Sequence, residues 1–287
     1  MMAKYLNAGC GTRFHSAWTN IDFSSTSENV IACDLSKGIP FPDNFFDIVY
    51  HSHLLEHFSK QDSESFIKEC YRVLHPKGVL RVVVPDLEQL ARIYLLALEQ
   101  AIAGNEEWAA NYEWILLEMY DQTVRNHPQG EMGTYFFRKH IPNEEFVLKR
   151  CGIEAKNLRE TACQYQHQHP TESTSIGDRP KHLLKGIYRF LRYPSYRREL
   201  LLKSFLNKEY SALQIGRFRQ SGEVHQWMYD RYSLAFLLEQ RGFKNIVQRT
   251  ATESYVPNWS SFNLDTESDG MVYKPDSLFM EAIKSPV

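Results

Sequence analysis

Four titratable side chains fall within the seven residues 51–57: His51, His53, Glu56 and His57, with Ser52 among them. Imidazole changes charge near neutral pH and is the commonest general base for an alcohol nucleophile. His53 is the best placed of the three for that work. His51 and His53 share one face if the segment is extended. His57 reads equally as a catalytic group and as an internal hydrogen-bonding group that orients the loop. Imidazoles and a carboxylate also suit zinc or iron. The His-x-His-x(3,4)-Glu spacing of β-barrel metal sites is not met, however, and the surroundings read as α/β, so no metal is expected. His225 stands beside Trp227, Tyr229 and Asp230, a grouping that suits stacking on a sugar ring or, more plainly, pinning two parts of the fold together. Asp86 could meet a substrate, although capping the helix that starts at Leu87 is the plainer reading. Glu131 and His140 are further substrate candidates, in a stretch that holds Gly130 and Gly133.

Those side chains need elements to hold them. Apolar runs predict strands at 4–8, 18–23, 29–34, 46–51 and 79–86. Residues 61–74 carry Phe66, Ile67, Cys70, Val73 and Leu74 at helical spacing, and Pro76-Lys77-Gly78 stops that helix. The connection between the first two strands is short for a crossover helix. From Leu87 the pattern turns helical, with helices at 87–103 and 106–124. A loop follows at 125–142, then a helix capped by Asn143 and ended by Gly152, and a polar loop at 164–182. A helix at 230–241 and strands at 243–248 and 276–283 complete an α/β pattern. The reading is a sheet domain made of 1–86 and 223–287, interrupted by a mainly helical insertion at 87–222. The insertion leaves and returns at the carboxyl edge of the strands, where ligands bind, and so reads as a substrate cap.

The first strand runs into Asn7-Ala8-Gly9-Cys10-Gly11. Glycines spaced by one residue permit a tight turn and close approach of a ligand to the backbone. A phosphate loop would need Gly-Lys-Ser/Thr here, but Thr12-Arg13-Phe14 follows. A dinucleotide fingerprint would need a third glycine at Phe14 and an acid later than Asp22. A third candidate, S-adenosylmethionine, carries no phosphate. It needs an acid at the end of strand two for its ribose diol and a polar group after strand three for its adenine, and Asp22 and Asp34 stand there.

With these residues in view, the sequence resembles the class I S-adenosylmethionine-dependent methyltransferases of the type 11 kind. The resemblance is carried by Leu6–Gly11, Asn20-Ile21-Asp22, Asp34-Leu35, Pro40–Asp47, His53–His57 and Arg72–Gly78. It implies a Rossmann-like seven-stranded sheet whose last strand is antiparallel. It further implies that Asn7, Ala8, Gly9, Cys10 and Gly11 line the cofactor's amino-acid end and that Asp22 and Phe23 meet the ribose. Asp34 and Leu35 would meet adenine, and His51 and Ser52 would face the sulfonium. His225–Tyr232 and Pro275–Phe279 resemble members associated with cell-surface polysaccharide gene clusters. The activity implied is methyl transfer (EC 2.1.1.-), to a hydroxyl of a sugar, glycan or glycolipid, with His53, His57 and His225 as catalytic candidates. Methylation of another small molecule or a peptide is the runner-up. A non-catalytic cofactor-binding or interaction module is the alternative of another class.

Composition bounds the remaining choices. A net charge of −2 over 287 residues gives no signature for nucleic acid. Cys10, Cys33, Cys70, Cys151 and Cys163 are scattered and fit reduced cytoplasmic thiols. The first residues enter a strand at once, leaving no room for a signal peptide, and no apolar run spans a bilayer. Residues 179–203 interleave Arg and Lys with Leu, Tyr and Phe. That pattern suits an anionic membrane surface or a glycolipid, but a solvated helix whose apolar side packs on the cap is the preferred reading. The oligomeric state is open.

Overall fold

The computed structural model describes residues 3–25, 27–168 and 188–286, without the side chains of 166–168. Its strands are β1 (Tyr5–Ala8), β2 (Thr19–Asp22), β3 (Val30–Ala32), β4 (Phe46–Ser52), β5 (Leu74–Pro85), β6 (Phe243–Arg249) and β7 (Ser277–Lys284). They form one sheet in the order β3-β2-β1-β4-β5-β7-β6. The first five are mutually parallel, and β7 runs antiparallel between β5 and β6. This is the Rossmann-like methyltransferase sheet that the motifs implied.

Strand alternation sends side chains to two different covers. Leu6, Ile21, Val49, Leu80 and Val82 face a core shared with α1 (Lys60–Val73) and the late helix α8 (Arg231–Gln240). α1 begins at the Ser59 cap and buries Phe66, Ile67, Cys70 and Val73 on one stripe. α8 opens with a reciprocal capping box between Asp230 and Ser233. On the opposite face, Trp18, Ile48, Tyr50 and Val83 pack against Ala251, Val256, Trp259 and Leu264. Among the described residues no helix joins β1 to β2 or β2 to β3, as the short first connection required, and only a single turn at Leu35–Lys37 precedes β4. The long β6–β7 connection replaces those helices as the cover.

All seven strands lie outside 87–222. That stretch contains α2 (Leu87–Ile102), α3 (Glu106–Val124), α4 (Gly130–Phe136), α5 (Glu144–Gln168), α6 (Pro194–Leu206) and α7 (Glu209–Arg219). Leu90, Trp114, Ile115, Tyr135, Phe136 and Val147 give it a core of its own. The chain leaves at Asp86 and returns beside it, where Leu87 N–H donates to Tyr229 O at 3.0 Å. No helix among the described residues is long and apolar enough to cross a membrane.

Several details depart from the sequence reading. The 125–142 stretch contains α4, because the Asp121 carboxylate on α3 accepts from Glu131 N–H at 2.7 Å and caps it from outside. Asn143 does not cap α5 with its side chain; it is buried, bound to the Tyr135 hydroxyl and Ala110 O. Gly152 breaks α5 without ending it. Its φ of 73° and ψ of −146° lie in a region open almost only to glycine. A Cβ there would come within 2.4 Å of Tyr273 O, so the break is also where α5 presses on the β6–β7 connection. β5 begins at Leu74, and Pro76-Lys77-Gly78 is an irregularity within it. Residues 164–168 continue α5, and the rest of the expected 164–182 loop lies outside the described residues. So do residues 179–187 of the basic stretch. In the remainder, α6 buries nothing, and Phe190, Leu191, Leu200 and Leu201 are exposed, so their apolar side does not pack on the cap.

Candidate active site

The glycine loop is held by the strand beside it. Gly9 and Cys10 N–H both donate to Ile21 O, and Gly11 N–H donates to Asp22 Oδ2 at 2.8 Å. Gly9 and Gly11 have φ of 68° and 53°, which favour glycine. A Cβ at Gly9 would lie 2.8 Å from Leu54, whereas one at Gly11 would meet nothing within 4 Å. The loop is therefore tight below and open above. Over it lies a cavity of about 200 Å³, lined by Asn7, Gly9, Cys10, Gly11 and Ser52 on the sheet side. Its far wall is Glu154 of α5 with Tyr273 and Lys274 of the β6–β7 connection. The Cys10 thiol is pushed up to about 11 by burial and the nearby Asp22 charge, so it is no nucleophile at neutral pH.

A second cavity, of about 250 Å³, lies between the strand ends and the helical insertion. Leu90, Met132, Phe136, Phe137, Leu158 and Met228 supply its apolar wall. Asp86, Arg125, His225 and Asp276 are among its polar groups. Asp86 both caps α2, accepting from Glu88 and Gln89 N–H, and lines this cavity; burial raises its pKa. His53, Glu154 and Lys274 line both cavities. Glu154 and Lys274 form an ion pair at 2.7 Å. Burial opposes both charges, but each partner outweighs it: Lys274 is raised and Glu154 lowered.

His53 lies just past β4 with φ of 50°, an unusual conformation that aims its ring along the junction of the cavities. Its N–H donates to Val83 O. Nδ1 lies 3.1 Å from Glu56 Oε1, and Nε2 lies 2.9 Å from Ser277 Oγ. With the proton on Nδ1 toward Glu56, the Nε2 lone pair accepts from the Ser277 hydroxyl, and an acceptor hydroxyl must displace that bond to hand its proton to Nε2. This is the logic of a base oriented by a buried carboxylate. Burial alone would raise the Glu56 pKa, but His53, His225 and His57 draw it down to about 2, so it stays ionised.

Proteins to which this chain is similar are methyltransferases. A family model described as "Methyltransferase domain" matches residues 17–82. Residues 17–82 are thus similar to a methyltransferase domain, and they lie within a Rossmann-like seven-stranded methyltransferase sheet. The chain is 30% identical over 106 residues to a ubiquinone/menaquinone biosynthesis C-methyltransferase of Pectobacterium atrosepticum, covering 33% of this chain and 38% of that protein. A protein of the same name from Vibrio cholerae is 30% identical over 106 residues, covering 33% and 37%. The chain thus spans under two fifths of the length of these relatives. A solved S-adenosylmethionine-dependent methyltransferase from Archaeoglobus fulgidus is similar at 11% identity and a TM-score of 0.37, covering 98% of this chain and 86% of that one.

Of the expected cofactor residues, Asn7, Gly9, Cys10, Gly11 and Ser52 line the cavity over the glycine loop. Asn7 is buried, donating to Arg13 O and Asn20 Oδ1. Ala8 is core, and Asp22 and the exposed Phe23 end β2. Asp34 follows β3 but is bound locally by Ser36 and Lys37, which lower its pKa. Leu35 is turned into the core, so its side chain is not offered to adenine. His51 does not face the sulfonium. Strand alternation buries it against Phe66, 5.1 Å between ring centroids, and the positive φ of His53 means that the two histidines do not share a face. Tyr229 likewise enters the sheet core and Trp227 lies at the surface beside Lys60, so neither lines the second cavity. Glu131 points outward beside His127, and His140 is exposed; neither reaches the cavity. His57 is half-buried, with its ring 4.8 Å from that of His225. Glu154 and Lys274, by contrast, carried no local signal in the sequence, and Asp276 showed only as part of the Pro275–Phe279 motif.

His51 gives a pH prediction. Burial lowers its pKa to about 4, against the opposing pull of Glu56. Its folded value lies below the ordinary 6.5, so the unfolded chain binds more protons between those limits, and stability falls as pH drops from about 6.5 toward 4. His51→Leu should flatten that part of a urea-melting series against pH. An unchanged slope would assign the acid sensitivity elsewhere.

Proposed function

We propose that this protein is an S-adenosylmethionine-dependent O-methyltransferase whose acceptor is a hydroxyl of a sugar, glycan or glycolipid seated under the helical cap. The observation that carries the reading is His53, which lines both cavities with Nδ1 held toward Glu56 and Nε2 toward a hydroxyl. When bound, the cofactor supplies an already activated methyl group. What remains for the chain is to align the acceptor, exclude water and receive a proton. The cap excludes water, and His53 Nε2 receives the proton. Arg125 and Asp276 each keep one buried polar atom without a hydrogen-bond partner among the described residues, which suits an acceptor with several hydroxyls. The apolar wall suits a lipid or aromatic portion of the same molecule. The exposed apolar and basic residues of 188–203 fit an acceptor held at an anionic surface. A role in polysaccharide synthesis follows from that substrate class.

The cofactor fits the residues present: an open glycine loop, Asp22 beside it, and the Glu154–Lys274 pair facing a zwitterionic end. Calorimetry with S-adenosylhomocysteine should show binding by the wild type; no binding sinks the reading. Asp22→Ala removes charge-assisted hydrogen bonds of about 1.5–3 kcal/mol each and should weaken binding at least roughly tenfold. Unchanged affinity would refute the ribose assignment. A second reading, methylation at carbon, is favoured by the names of the relatives. Nuclear magnetic resonance of the labelled product distinguishes an O-methyl from a C-methyl group.

A further inference from the structure

Behind the wall of the acceptor cavity, Glu56 is 0% exposed, yet neither of its carboxylate oxygens completes an aligned hydrogen bond among the described residues. His53 Nδ1, at 3.1 Å from Oε1, is close but off line. His57 Nδ1 is buried and also without a partner. A buried carboxylate without hydrogen bonds or a counter-charge costs several kcal/mol. One donor atom from each of Glu56, His57 and His225 lies within 4.8 Å of the other two, and the two imidazole rings stand at 88° to each other.

We propose that Glu56, His57 and His225 form a binding site for a divalent transition-metal ion. Two imidazoles and one carboxylate, without thiolate, form a donor set for zinc, iron or cobalt rather than for magnesium or calcium, which prefer all-oxygen shells. The backbone holds the three residues before any ion arrives. Gln226 N–H donates to Glu56 O at 2.7 Å, His57 N–H to Leu54 O at 3.1 Å, and His225 N–H to Gln122 O at 2.9 Å. The nearby cations do not occupy the carboxylate. Arg125 is paired with Asp121 and Glu223, and Lys274 with Glu154. His225 lines the acceptor cavity, so an ion here would stand at its wall and acidify an acceptor hydroxyl that reached it. That consequence rests on the methyltransferase reading; the site itself does not.

Chelator-treated full-length protein titrated with Co²⁺ and Zn²⁺ tests the site. The expected result is one ion per chain by calorimetry, with visible absorption from Co²⁺. Glu56→Gln and His225→Asn should each weaken binding by about 100-fold or more, with His127→Asn as the unaffected surface control. If Glu56→Gln fails to fold by circular dichroism, His225→Asn carries the same test from the cavity wall. Absence of uptake by the wild type, or affinity unchanged in the folded variants, overturns the proposal. S-adenosylhomocysteine binding is measured on the same sample: cofactor bound without metal uptake removes only the metal site, and metal taken up without cofactor removes only the methyltransferase reading.

Discussion

Replacing His53 with alanine is expected to lower methyl-transfer turnover by about 10²–10⁴-fold, the usual contribution of a general base, while S-adenosylhomocysteine affinity stays within a few fold. The separation is expected because His53 lines both cavities at their junction, whereas the glycine loop lines the cofactor cavity alone and is held by Asp22 through Gly11 N–H. Glu56→Gln should give a smaller loss, since it leaves the imidazole in place and disturbs only its orientation and the charge that would stabilise imidazolium. The ratio of the two losses therefore reports how far Glu56 acts through His53. If turnover with a competent acceptor survives in His53→Ala, the proton leaves by another route and the ring is a positioning group. If cofactor affinity collapses together with turnover, His53 is holding the cavity wall and not moving a proton.

Much of this site was legible in the sequence because its parts are local. The apolar runs that became β1, β2, β4 and β5 each ended at a residue that matters: the glycine loop, Asp22, the 51–57 cluster and Asp86. Helix α1 was visible in the spacing of Phe66, Ile67, Cys70 and Val73. What escaped was set by contacts between distant segments. His51 looked like a partner of His53 because both are polar and two apart, and only the end of β4 at Ser52 and the positive φ of His53 separate them. Helix α4 is capped by a carboxylate on α3, so its own N-terminus carries no capping residue. Glu154 and Lys274 meet across the fold and reach both cavities, and neither lies in any motif. His225 was visible as a candidate, but its meeting with Glu56 and His57 was not, because it depends on the returning chain pairing with the turn after β4.

The largest stability effect is expected away from the chemistry, at Arg81 in the middle of β5. Its side chain is 0% exposed on the face covered by the β6–β7 connection. It donates to Asp265 Oδ2 at 2.9 and 2.7 Å, to Glu281 Oε1 at 3.0 Å, and to Thr250 O and Glu253 O. The Trp259 ring lies 4.5 Å from the guanidinium. Arg81→Met would leave Asp265 and Glu281 as buried anions; Asp265, whose pKa burial already raises, would keep only the Tyr50 hydroxyl. Removing one side of such a pair costs about 3–5 kcal/mol, or a fall of roughly 10 °C in melting temperature for a domain of this size. Because Arg81 binds the connection that carries Tyr273 and Lys274, cofactor affinity should fall with stability. Adding Asp265→Asn to Arg81→Met should recover part of the loss, since the orphaned charge goes with it. A melting temperature within about 2 °C of wild type in Arg81→Met would show that the aromatic cluster of Trp18, Tyr50 and Trp259 holds the connection without the ion network.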